Sequence, residues 1–164
     1  MDRPEDPIIR LLMALHTHGV DYIIVGGAAA VLAGAPVVTR DLDIVHRQTP
    51  ENIAQLMAVL SKLGAYFRPD PGRRRIPPRA SDLAGTGQLN LATNTGELDI
   101  LCRLSGGHDY DDLLPHTVEL QDFDLTLRVL DLPMLIQVKT ETNRPKDRLM
   151  LPILIAALEE RGKE

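Results

Sequence analysis

The chain has 164 residues, 44% hydrophobic, 25% charged and 3% aromatic, with a net charge of −5. This suits one globular domain spanning residues 1–164 with a substantial core. The acidic balance excludes a global attraction for nucleic acid, and the few aromatic rings leave little for single-stranded bases to stack on. The single cysteine, Cys102, excludes an intrachain disulfide framework and fits a reducing cytoplasm. No apolar run approaches a membrane span and the first residues carry no signal pattern, so no membrane contact is expected.

In chain order, the apolar spacing from Pro7 to His18 predicts an amphipathic helix closed by Gly19. Tyr22 to Val25 reads as a short buried strand that ends in Gly26-Gly27. Ala28 to Ala33 reads as a short helix stopped by Gly34, and Val37 to Val45 as a second strand after Pro36. Thr49 caps the next helix, with Pro50 at its first position and Asn52 replacing the usual Glu of a capping box; it runs to about Leu63. Phe67 to Gly87 is rich in Pro, Gly and Arg and reads as a long loop. Gln88 to Ala92 and Glu97 to Leu104 read as strands, Ser105 to Pro115 as a polar loop. Val118–Leu120 and Leu125–Val129 form a hairpin across Gln121–Asp124, and helices at Leu132–Thr140 and Pro145–Glu160 follow. The order implies a mixed α/β (α+β) domain, one sheet flanked by helices.

The chemistry concentrates at Asp41 and Asp43. On a strand, residues two apart share a face, so both carboxylates aim at one point, as needed to hold a hard divalent cation beside phosphates. Gly26 and Gly27, at the mouth of a helix, offer backbone N–H groups to an anion. Asp99, in the apolar run Glu97-Leu-Asp-Ile-Leu101, is the third carboxylate; Glu97 shares its face and is the rival for that role. Three convergent carboxylates suit two Mg²⁺ ions, one lowering the pKa of an attacking hydroxyl and one clamping phosphates. Asp99 is also placed to take the acceptor's proton.

Other charged groups read as structural. Asp122 and Asp124 flank Phe123 at a hairpin tip, and Asp109, Asp111 and Asp112 are loop charges. Arg40 points away from Asp41. Arg73-Arg-Arg75, with Arg68 and Arg79, is a solvated loop or a grip on RNA phosphates, with the first favoured. The five histidines show no metal-ligand spacing, and Cys102 reads as a small core residue.

Tyr22 to Val45, with its strand, Gly-Gly, helix, Thr39 and Asp41-Leu-Asp43, resembles the nucleotidyltransferase signature of the DNA polymerase β superfamily. Within it the pattern is similar to a small bacterial and archaeal branch related to abortive-infection toxins. Gly26, Gly27, Thr39, Asp41, Asp43 and Asp99 match in order; Gly27 stands where many members carry Ser. Lys139 followed by Asn143-Arg-Pro-Lys-Asp147 resembles that branch's Lys and Arg-x-Lys-Asp segment. The resemblance implies a nucleotidyltransferase-type mixed sheet and an active site using Mg²⁺ or Mn²⁺. It implies transfer of a nucleoside monophosphate from an NTP to a hydroxyl, with Lys139 and Lys146 on the triphosphate and Asp147 orienting one of them. A catalytically silent binding module of a toxin–antitoxin or defence system is the other reading. The acceptor (RNA, protein or small molecule) stays open, and a homodimer or operon partner would help so short a chain grip a large one.

Overall fold

A seven-stranded mixed sheet runs through the computed structural model, which describes residues 5–68, 72 and 74–163. The strands are β1 (Tyr22–Val25), β2 (Leu42–His46), β3 (Tyr66–Phe67), β4 (Gln88–Ala92), β5 (Glu97–Leu101), β6 (Thr117–Asp122) and β7 (Leu125–Leu130). Their spatial order is β3-β4-β5-β2-β1-β7-β6. Around them lie α1 (Pro7–Thr17), α2 (Gly26–Leu32), α3 (Pro50–Lys62), α4 (Ala80–Leu83), α5 (Tyr110–Leu113), α6 (Leu132–Thr142) and α7 (Pro145–Arg161). No helix among the described residues is long and apolar enough to cross a membrane.

The elements start where local chemistry places them. Asp6 caps α1 by accepting from the Ile8 N–H at 2.8 Å, and Ile8, Ile9, Leu11, Leu12 and Leu15 form its buried stripe. Asp131 caps α6 by accepting from the Met134 N–H at 2.8 Å, and Asn143, at φ 50°, ends that helix in the left-handed region. The β6–β7 hairpin turns through Phe123 and Asp124 at φ 53° and 59°, the two positive angles of a type I′ turn. The central strands β1, β2 and β5 bury Ile23, Ile24, Leu42, Ile44, Leu98 and Ile100 completely, so the core straddles the middle of the sheet. Cys102 is buried beside them, as a small core residue.

Four expectations need correction. The second strand begins at Leu42 rather than Val37, and Val38, before it, is 92% exposed. β1 pairs with β2 only as far as Val25 opposite Asp43, then turns into α2, which leaves the residues before Leu42 without a neighbour on that side. Asp41 therefore sits at the strand's entry, still two residues from Asp43.

The second correction concerns Asn52, which does not complete a capping box. Buried at 2% exposure, it donates from Nδ2 to the Asp21 and Arg47 carbonyls at 2.9 and 2.7 Å and accepts from the Asp21 N–H at 2.7 Å. It is a tie between the α1–β1 and β2–α3 connections, a role that sequence spacing does not signal.

The span from Phe67 to Gly87 is not all loop, since it contains the end of β3 and all of α4. Leu83 of α4 is fully buried, and its carbonyl accepts from His46 Nε2 at 2.7 Å and Gln48 Nε2 at 3.0 Å. These long-range bonds secure a four-residue helix too short to persist alone. Likewise Ser105 to Pro115 contains α5, closed by reciprocal bonds between Asp109 and Asp112, so those two carboxylates are helix caps. Arg73 of the basic run lies outside the described residues; Arg75 stacks over the Tyr66 ring at 5.2 Å.

Candidate active site

β2 and β5 run parallel with Asp43 paired to Asp99 and Leu42 paired to Leu98. Residues in register on neighbouring strands point to the same face. Leu42, Leu98, Ile44 and Ile100 fill the core, while Asp43 and Asp99 stand together on the other face. Two residues upstream on each chain, Asp41 and Glu97 project to that face as well. β4 adds Asn90, in register with Asp99. Four carboxylates thus gather where two buried strands leave the sheet.

Their electrostatics show the crowding. The Asp43 carboxyl is pushed up from 3.8 to about 7, first by burial, then by the charge of Asp99 and a hydrogen bond with it, and by Asp41; Lys139 opposes. Glu97 is pushed up chiefly by a hydrogen bond with Asp41. The upward shifts thus tie Asp43 to Asp99 and Glu97 to Asp41. Asp99 is 9% exposed, and its Oδ1 lies 2.7 Å from Arg68 Nη2 in an ion pair without hydrogen-bond alignment. Arg68 also stands 3.5 Å from Glu97 and donates from Nη1 to the Leu91 carbonyl at 2.6 Å.

Gly26 explains why glycine begins α2. Its φ is +63°, and a Cβ built there would collide with Asp43 Oδ2. Gly26→Ala is expected to cost roughly 1–3 kcal/mol from backbone strain alone and to displace the Asp43 carboxylate. A thermal melt together with the loss of any metal response would register both effects; an unchanged melt would refute the contact. Gly27 is constrained differently. A Cβ there would meet Thr39 Oγ1 at 2.9 Å, so the Thr39 hydroxyl fills the space a side chain at 27 would need. That hydroxyl donates to the Asp41 carbonyl at 3.1 Å and braces the turn into β2.

A cleft of about 200 Å³ opens beside the cluster. Gly26, Asp43, Lys139, Thr142, Arg144, Arg103 and Ser105 line it, and Leu101, Leu104, Leu130 and Leu135 provide apolar lining. Lys139 is held by Asp147, which accepts from its Nζ at 3.1 Å. Asp147 has no exposed surface. Burial pushes its carboxyl up, yet bonds from Arg144 Nε at 2.9 Å, Lys139 and the Arg144 N–H outweigh that and hold it at about 2.

Asp41, Asp43, Asp99, Gly26, Gly27 and Thr39 thus lie together, with Lys139 lining the same cleft as Asp43 and Asp147 bonded to it. Lys146 is exposed on α7 and lines no part of the cleft. Asp147 orients Lys139 and Arg144 rather than Lys146. Sequence reasoning missed Arg144 as a cleft residue, although its three-residue spacing to Asp147 is a helix-capping distance. It also missed Arg68 as a counter-ion to Asp99; the signal was an arginine ending a strand two places from the acid-bearing one.

The fold is similar to that of solved structures of nucleotidyltransferases. The fold matches that of a Thermotoga maritima protein, TM1012, assigned as a nucleotidyltransferase, with TM-score 0.57 and 19% identity over 93% of each chain. It also matches the lincosamide antibiotic adenylyltransferase LnuA in its lincomycin-bound form, with TM-score 0.62 and 12% identity over 96% of this chain and 99% of that one. For the antibiotic-resistance factor ANT(2'')-Ia the TM-score is 0.60 at 14% identity, over 96% of this chain and 86% of that one. At these identities the likeness is one of fold. No family model matches the chain. In sequence it is 29% identical over 111 residues to proteins named probable GTP 3',8-cyclase from two strains of Halobacterium salinarum. That stretch is 66% of this chain and 26% of theirs, so the chain spans about a quarter of the length of those relatives.

Proposed function

We propose that the protein transfers a nucleoside monophosphate from an NTP to a hydroxyl acceptor and releases pyrophosphate. The observation that carries this reading is the in-register pair Asp43–Asp99, with the Asp43 carboxyl pushed up to about 7 beside a cationic cleft. Carboxylates this close repel one another, and the arrangement is costly unless a cation joins it.

The donor set fits Mg²⁺ or Mn²⁺. It is all hard oxygen, and Asp99 Oδ1 is buried without an aligned hydrogen bond, its neighbour being the Arg68 guanidinium at 2.7 Å. Among the described residues no three His, Cys, Asp or Glu side chains already form a metal cage. Mg²⁺ needs none, because it keeps several waters and binds through one or two carboxylates plus substrate phosphates. Asp41, Asp43 and Asp99 would hold it. When bound, such an ion neutralises phosphate charge and lowers the pKa of an attacking hydroxyl.

The chain's own groups do the rest. Lys139, braced by Asp147, and Arg144 meet the triphosphate in the cleft that Asp43 also lines, and the Gly26 backbone lets it approach. The acceptor oxygen bonds to the α-phosphorus as the α–β bridging bond breaks, and Asp99 takes the hydroxyl proton. The leucine-lined part of the cleft suits the nucleoside. The branch related to abortive-infection toxins is the finer assignment we favour, on Lys139, Arg144 and Asp147 acting as one unit.

One observation favours a second reading. Arg68 already places a positive charge on Asp99 and Glu97, where a cation would go. A silent nucleotidyltransferase-fold module that binds a nucleotide or a toxin–antitoxin partner would retain such an arginine.

Incubation with each α-³²P-labelled NTP, Mg²⁺ or Mn²⁺, and cellular RNA plus protein extract distinguishes the two. Transfer by wild type, reduced roughly a hundred- to thousandfold in Asp41→Ala, is the expected result, and the labelled carrier identifies the acceptor class. Metal-dependent NTP binding without transfer to any carrier would favour the silent module.

A further inference from the structure

The helix α7 has a surface that the active site does not use. From Leu149 to Leu158 its sequence is apolar at every position, the pattern of a helix covered on more than one side. Yet only Asp147 and Leu154 of this helix are buried, while Leu149 is 76% exposed and Ile155 42%. α7 packs chiefly on α6, with Leu154 inward. At helical spacing Leu149, Pro152 and Ala156 form a strip along the opposite, outward face. A groove of about 560 Å³ runs beside it, between Ile153 and Ala157 and the segment from Leu32 to Pro36.

Four exposed charges on α7 run against its dipole, while Asp147 in the first turn and Arg161 in the last run with it. Lys146 and Arg148 lie at the N-terminal end, Glu159 and Glu160 at the C-terminal end, and all four are exposed. A helix N-terminus favours anions and a C-terminus cations, so these four side chains gain nothing from their own helix. Within the described residues, the one side-chain ion pair among these four is a loose contact of 4.0 Å between Glu160 and Lys163.

We propose that a second copy of this chain docks on α7, antiparallel, about a two-fold axis beside Pro152 and Ile153. Residues whose numbers sum to about 305 then face each other. Leu149 of each copy meets the small Ala156 of the other, so large side chains fill small positions across the strip. Lys146 and Arg148 meet Glu159 and Glu160 of the other copy, so four charges that oppose their own helix dipole become complementary between two helices. A parallel pairing would stack like charges instead. The interface is self-complementary, and Lys146, which lines no part of the cleft, has its use here.

Sedimentation velocity on the full chain across a concentration series tests this. Wild type should dimerise in roughly the micromolar range expected of a small interface. Lys146→Glu/Arg148→Glu makes both ends of the helix acidic, and Glu159→Lys/Glu160→Lys makes both ends basic. Each variant alone should dimerise at least tenfold more weakly, while an equimolar mixture should recover dimer. Leu149→Glu should give monomer, with a melt like that of wild type because the residue is exposed. A monomeric wild type, charge variants that dimerise unchanged, or a mixture that fails to recover dimer would each overturn the proposal. None of these readouts depends on transfer activity.

Discussion

Asp43→Asn is expected to melt above the wild type in metal-free buffer at pH 8 while losing metal-dependent nucleotide transfer. The folded Asp43 carboxyl titrates at about 7 and the unfolded one near 3.8, so the folded chain holds an extra proton between those values. A raised carboxyl contributes its stability at low pH and loses it as pH rises through the folded value. Above pH 7 the ionised group costs about 4 kcal/mol by the size of the shift, or roughly 2 kcal/mol once partial exposure is allowed for. Asparagine removes that charge. For a chain of this size the gain corresponds to roughly 5 °C.

The pH dependence makes the test specific. By pH 5 the folded wild type has already taken up the proton, and the advantage of the variant should shrink by about half or more. Mg²⁺ or Mn²⁺ with NTP should reverse the order, raising the wild-type melt by linkage and leaving the variant unmoved. Differential scanning calorimetry at pH 5 and pH 8, with and without metal and nucleotide, reads all of this. An advantage equal at both pH values would show that the carboxylate crowding is not its source.

Asp147→Asn should do the opposite. Asp147 is wholly buried and bonded to Lys139 and Arg144, and the Lys139 side chain is itself only 17% exposed. Removing one member of a buried ion pair leaves the other charge uncompensated and costs about 3–5 kcal/mol, roughly 10 °C here. Because the folded carboxyl sits at about 2, below its usual 3.8, its contribution is complete above pH 4 and lost as pH falls through 2. The difference between variant and wild type should therefore be full at pH 7 and smaller by about 2 kcal/mol near pH 2. Lys139 loses its brace in the same change, so the KM for NTP should rise more than kcat falls. A variant that melts with the wild type at pH 7 would refute the buried pair.

The expected elements with strong local signals match the structure closely. α1 and α3 have a cap, an early proline and a periodic apolar stripe, and the β6–β7 hairpin alternates on either side of its Asp-flanked turn. Where the structure departs from expectation, the deciding contact is distant in sequence. β3 exists because Phe67 pairs with Leu91, and α4 because His46 and Gln48 seize the carbonyl of Leu83. The start of β2 depends on where β1 turns away, which Val37 and Val38 do not announce.

The candidate site divides along the same line. Asp41, Asp43, Gly26, Gly27 and Thr39 lie within one short stretch, so a strand's alternation and a glycine turn sufficed to read them together. The choice between Glu97 and Asp99 needed the register of β5 on β2, which pairs Asp99 with Asp43 and leaves Glu97 beside Asp41. Arg68 on Asp99, Asp147 beneath Lys139 and the facing of Arg144 into the cleft are tertiary facts. The sequence by itself determined the elements with strong local signals, the outline of the fold and the candidate acids, because each rests on interactions a few residues long. Only the tertiary structure decided which charges crowd one another and which ion pairs are buried, because electrostatic energies depend on distance and solvent exposure, which the order of residues does not encode.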